Sequence, residues 1–206
     1  MYQIIDDWQK TNKHLSMFDE VIYHANAKFG IQTTDHLVRE TSPTFDKKCF
    51  MHGVAQRQED NNGIVGVQSP FFIPMMKFVF DFCDDMGINM VHLGRSCINM
   101  TMPSTFDPDT KACDFHIDHT YPHYSILFYL NDTDGDTLIS NEKYNPLTHV
   151  DESLEYVPSP EKCIRVSPKR GRILLFDGLH FHTGSYPTKY PRTMFVATVI
   201  ATNEIF

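Results

Sequence analysis

The spacing of apolar residues changes character near residue 90. Before it, apolar positions recur at helical intervals. Val21, Ile22, Ala25 and Phe29 share one helical face, preceded by Ser16 and Asp19 in the pattern of a capping box and stopped by Gly30. Ser69-Pro70 opens a second helix, with Phe71, Met75, Phe78, Val79 and Phe82 on one stripe. Such a stripe of aromatic and methionine side chains predicts a face packed on a sheet. From Met90 onward the period shortens. Segments 90–101, 123–131, 136–140, 162–167, 172–176 and 193–201 are β-branched or aromatic, and Pro, Gly, Asn and Asp divide them, so each reads as a strand. Asp134-Gly135, between two of these segments, is a hairpin-type turn signal.

Helices first and many short strands afterwards predict a mainly β fold with flanking helices. The expected architecture is a double-stranded β-helix (jelly roll) core over about 89–202, buttressed by helices in a helical and irregular N-terminal region, residues 1–88. No internal repeat, low-complexity tract or linker divides the chain, so 1–206 reads as a single domain.

Composition narrows the function classes. The net charge of -8 argues against general nucleic-acid binding. No run approaches the roughly 18 apolar residues that span a bilayer, so no membrane partner is expected. The first residues, MYQIIDDWQKTNKH, lack the order of a signal peptide. Five cysteines (Cys49, Cys83, Cys97, Cys113, Cys163) are scattered without a C-x-x-C pair, which predicts reduced thiols and a cytoplasmic protein, or one in the host-cell cytoplasm if viral.

Two segments carry candidate chemistry. In CDFHIDHTYPHY, residues 113 to 124, His116 and Asp118 stand two apart. On an extended strand such positions point the same way, so imidazole and carboxylate can converge on one ion. The pair is common by itself. Downstream, the apolar strand Arg172 to Phe176 runs into a turn carrying His180 and His182, and Arg192 follows ten residues after His182. A third ligand from this turn would complete two histidines and one carboxylate on one face of a metal. That set leaves coordination positions open for a co-substrate and O₂, as non-haem iron(II) oxygenases require.

H-x-D, then a distal histidine, then a base ten residues later is the order of the 2-oxoglutarate/Fe(II)-dependent dioxygenase superfamily. Over about residues 90 to 200 the chain resembles its prolyl-4-hydroxylase-like (bacteriophage-type) branch. Tyr129-Leu130-Asn131 and Gly135-Asp136-Thr137-Leu138 are similar to strands that follow H-x-D there. The resemblance implies Fe(II) held by His116, Asp118 and His182, with 2-oxoglutarate and O₂ as co-substrates. Arg192 would grip the distal carboxylate of 2-oxoglutarate, a guanidinium fork being suited to a carboxylate. Tyr129 would donate its phenol to the same group. His180 is the rival distal ligand; the interval to Arg192 and the following Thr183-Gly184 favour His182. Met194 and Met102-Pro103 depart from the family pattern, and Asn99 is the candidate for an additional co-substrate contact. His119 and His123 are read as surface residues or as supports for the ligands.

The activity implied is hydroxylation of a C–H bond with release of succinate and CO₂. Its substrate would be a prolyl or other side chain of a protein or peptide, with a small molecule as the alternative. Two other classes compete: a non-catalytic jelly-roll metal-binding protein, and a zinc-dependent hydrolase using the same ligands. The first has no need of a carboxylate clamp at Arg192, and for the second no general base placed for water is identified. Asp132, Asp134 and Asp136 do not make a calcium loop, because Thr137 and Lys143 stand where glycine and glutamate are needed. Lys169, Arg170 and Arg172 read as a solvated basic edge. Residues 141 to 161 are the expected loop at the mouth of the barrel.

Overall fold

The computed structural model describes residues 1–24, 27–31, 49–57, 66–104, 115–145, 147 and 162–206. The elements run β1 (Tyr2–Ile5), α1 (Thr11–Ile22), β2 (Gly30–Ile31), β3 (Cys49–Gln56), β4 (Gly66–Val67), α2 (Phe72–Asp85), β5 (Met90–Thr101), β6 (Tyr124–Tyr129), β7 (Thr137–Lys143), β8 (Ile164–Val166), β9 (Ile173–Asp177), β10 (His180–Gly184) and β11 (Arg192–Ala201). All strand pairings are antiparallel. The large sheet has the order β1-β9-β6-β11-β5-β3-β2, with β4 paired to β3, and a small sheet has the order β10-β7-β8.

Three layers result: helices, large sheet, small sheet. The central strands of the large sheet divide their side chains between two cores, as the two-residue period demands. On β6, Ile126 and Phe128 join a core with α1 and α2, while Leu127 and Tyr129 face Ile139 of β7 and Val166 of β8. This is the mainly β, helix-buttressed jelly roll expected from the sequence. No helix among the described residues is long and apolar enough to cross a membrane.

The helix α2 starts and stops for local reasons. Pro74 lies in the first turn, where its missing N–H costs nothing. Gly87, at φ 65, ends the helix: its N–H reaches Asp84 O and that of Ile88 reaches Cys83 O at 2.8 Å. Those two bonds form a Schellman cap. Met75, Phe78, Val79 and Phe82 of the predicted stripe are buried together with Met76 and Cys83, while Phe71 is the half-buried N-cap residue.

Four expectations need correction. Ser16 does not open a helix; it lies inside α1 and its hydroxyl donates to Asn12 O. That helix begins at Thr11 and ends at Ile22, because its buried residues are His14, Leu15, Phe18 and Val21. The N-terminal region, 1–88, is not only helical and irregular, since β1 and β3 pair with β9 and β5 of the large sheet. Asp134-Gly135 is not a hairpin turn. It carries the chain from β6 in the large sheet to β7 in the small one. His180 and His182 lie on strand β10, paired to β7, rather than in a turn. Most of the expected loop 141 to 161 lies outside the described residues, as do Ala25 and Cys113; the other four cysteines are free thiols.

Candidate metal centre

The two candidate imidazoles are cross-strand neighbours. His116 and His182 exchange both backbone hydrogen bonds, 3.0 Å from His116 N to His182 O and 2.9 Å in return. Residues facing each other across such a bridge present side chains on the same side. Their ring centroids are 4.7 Å apart. Asp118, two residues after His116, brings Oδ2 to 3.6 Å from His182 Nε2. One ligand atom from each of His116, Asp118 and His182 lies within 4.8 Å of the others. His116 is exposed, whereas Asp118 and His182 are buried.

Neighbouring groups orient these atoms. His182 Nδ1 is 3.0 Å from His180 O, and a carbonyl only accepts, so Nδ1 carries the proton and Nε2 offers its lone pair inward. The Phe176 ring meets the His182 ring edge to face. Burial works to raise the Asp118 carboxyl pKa, but the Arg95 guanidinium beside it works the other way, and the group is held well below the ordinary range. Asp118 is therefore anionic without a metal.

His180 is turned to other work. Its Nδ1 donates to Ser140 O at 2.8 Å and its Nε2 meets the Met1 amine at 2.8 Å. The strand pairing shifts register between His180 and His182, so simple alternation does not align their side chains. His119 and His123 are both buried rather than surface residues. His119 Nε2 contacts Thr198 Oγ1 at 2.8 Å, and His123 Nδ1 donates to Tyr121 O at 2.8 Å.

Arg192 opens β11 and is 4% exposed. Its Nη1 donates to Gly135 O at 2.9 Å and to Asp136 O at 3.3 Å, whereas its buried Nε has no acceptor among the described residues. No carboxylate among the described residues pairs with it. The guanidinium lies against Gly184, where any Cβ would collide with it. Tyr129, the expected co-substrate donor, donates to Thr137 Oγ1 at 2.7 Å; burial pushes its phenol up to about 12. Asn99, across from Met194 and Met51, accepts from Cys97 Sγ through Oδ1 at 3.4 Å.

No family model matches the chain, and no curated protein does. Solved structures do match. An oxidoreductase of the 2OG-Fe(II) oxygenase family from Burkholderia pseudomallei has a TM-score of 0.60 at 12% identity, over 96% of this chain and 83% of that one. The chain has the fold of the 2-oxoglutarate/Fe(II) oxygenases. The same oxygenase fold is shared with a prolyl hydroxylase from Trichoplax adhaerens, solved with a hypoxia inducible factor peptide fragment (TM-score 0.53, 14% identity, 97% and 83% coverage). It is shared too with the α-ketoglutarate-dependent epimerase SnoN of nogalamycin biosynthesis (TM-score 0.57, 12% identity, 97% and 78% coverage).

Two residues at this oxygenase-fold centre are absent from the sequence-based set. Arg95 Nη1 lies 3.2 Å and Arg57 Nη2 3.5 Å from Asp118 Oδ1. Arg95 carries a signal, being the one charged residue within 90–101. Arg57 carries none, since it follows a strand that the sequence pattern does not reveal.

Proposed function

We propose that this chain, acting as one domain, is an Fe(II)- and 2-oxoglutarate-dependent dioxygenase that hydroxylates a C–H bond. The observation that carries the reading is Arg192, a buried guanidinium without a counter-charge among the described residues, in the same barrel as the His116, Asp118 and His182 cluster. A buried charge is costly unless paired, so an anionic ligand is the natural complement. A metal store gains nothing from such a cation.

The residues fit the group. Two imidazoles and one carboxylate on one face suit iron(II) and leave positions open. With iron and 2-oxoglutarate bound, the centre supplies the oxidising power for hydroxylation, with succinate and CO₂ as co-products. The chain's own residues do the rest. The His180 carbonyl fixes the His182 tautomer, and the Gly135 and Asp136 carbonyls hold the guanidinium. Gly184 leaves it room, and Nε and the remaining N–H groups are available to a carboxylate. The substrate proposed is a prolyl or other side chain of a peptide or protein, supported by the likeness to a prolyl hydroxylase that binds a peptide.

Anaerobic titration of the Fe(II)-loaded protein with 2-oxoglutarate tests the reading. A saturable visible charge-transfer band is expected, lost in His182→Ala and kept in His180→Ala. Bound iron with no band at any co-substrate concentration would defeat it.

A further inference from the structure

We propose that Arg95 and Arg57 are positioning residues that occupy Oδ1 of Asp118, so that this carboxylate meets the metal through Oδ2 alone. The inference rests on the oxygenase reading above. The two oxygens of Asp118 have different company. Oδ1 faces Arg95 Nη1 at 3.2 Å and Arg57 Nη2 at 3.5 Å. Oδ2 faces His182 Nε2 at 3.6 Å and Ser125 Oγ at 3.5 Å. Asp118 is 5% exposed, so protein groups, not bulk solvent, set its orientation.

The strand register explains the convergence. Arg95 lies on β5, and β3 pairs with β5 through Gly53 with Cys97 and Ala55 with Ser96. Arg57 directly follows β3, which ends at Gln56, so the chain leaves the strand at the end of the sheet where Arg95 lies. Neither guanidinium helps to hold a metal directly. Each is a cation close to a cation site, and the repulsion weakens metal binding. A site selected only for tight metal binding would gain from a neutral donor in their place.

What the pair protects is a coordination position. Two histidines and a one-oxygen carboxylate leave three positions, two for the co-substrate chelate and one for O₂. A carboxylate binding through both oxygens would consume one of them. Two guanidinium contacts on Oδ1 oppose that rotation, while among the described residues Oδ2 meets only the Ser125 hydroxyl at 3.5 Å and the His182 ring.

The test uses the full chain, Co(II) as the metal, and then 2-oxoglutarate, all without O₂. Arg95→Met should bind Co(II) about tenfold tighter, since a repelling charge is gone and a ligand oxygen is freed. Its visible d–d absorption should differ from wild type before co-substrate is added, and 2-oxoglutarate should bind at least about tenfold more weakly. Arg95→Lys, which keeps a cation, should restore much of the wild-type spectrum. Arg57→Gln, at a partly exposed side chain, should shift both affinities in the same directions by less, and it carries the test if Arg95→Met does not fold. If the variants keep the wild-type spectrum while both affinities fall together, the arginines are ordinary structural supports and the proposal is overturned. If wild type binds Co(II) but ignores 2-oxoglutarate, the oxygenase reading fails and takes this inference with it. If wild type responds and the variants match it, this inference alone fails.

Discussion

The two faces of the large sheet come from the same strands yet are built to opposite specifications. On the helix side, Phe78 stacks on Phe128 and meets Trp8, His14, Phe18 and Phe195 edge to face, all of them buried. On the side of the small sheet, the intervening positions of β5 are Arg95, Cys97 and Asn99, joined by hydrogen bonds of 3.5 and 3.4 Å. On β11 the corresponding residue is Arg192. One face is packed with apolar and aromatic side chains, and the other combines a smaller apolar core with placed charge. The lesson is that stability and binding can be altered separately, strand by strand, by choosing odd or even positions.

Substitutions on the two faces should therefore separate. Phe78→Ala leaves a ring-sized void in the helix-side core and should lower unfolding stability by about 3–5 kcal/mol, read by denaturant titration, with metal affinity of the folded protein unchanged. Arg192→Ala should leave metal in place but weaken 2-oxoglutarate by about 2–5 kcal/mol, read by calorimetry on the metal-loaded protein. Gly184→Ala should push the guanidinium off the Gly135 and Asp136 carbonyls, weakening 2-oxoglutarate by about 1–3 kcal/mol with a smaller change in stability.

The smallest effect lies away from both faces. Arg172 donates to both oxygens of Asp6 at 2.7 and 2.9 Å, and that pairing lowers the carboxyl pKa from 3.8 to about 2. A carboxyl depressed on folding stabilises above its unfolded value. The contribution is lost as pH falls from 3.8 through about 2. Asp6 is 37% exposed, so screening limits the contribution to about 1 kcal/mol or less. Asp6→Asn should lower the melting temperature slightly at neutral pH and make no difference at the acid end.

What can be read from the sequence follows the same division. The buried residues of α2 and the helix-side residues of β11 are apolar and periodic, so the pattern predicts those elements with bounds close to those observed. β10 reads as a turn because its residues, HFHTG, carry ligand and glycine positions instead of an apolar alternation. β3 is hidden because its strand pattern is broken by His52 and Gly53. Asp134-Gly135 does turn the chain, but local residues do not say which sheet receives the next strand. At the centre, short spacings are legible: His116 with Asp118, and His182 with Arg192. The contact of Arg57 with Asp118 spans sixty-one residues and depends on the register of β3 with β5. The phenol of Tyr129 is taken by Thr137, eight residues away but in the opposite sheet.

The crossing from β6 to β7 does two jobs with one short stretch of backbone. It joins the sheets, and it lends the Gly135 and Asp136 carbonyls to Arg192. Asp134 anchors it by accepting from Thr188 and Lys189, and Ser185 N donates to Asp136 O at 2.8 Å. The crossing thus behaves as a ruler: the spacing of the sheets and the depth of the buried positive charge are read off the same length of chain. Adding one residue there would change both measurements at once.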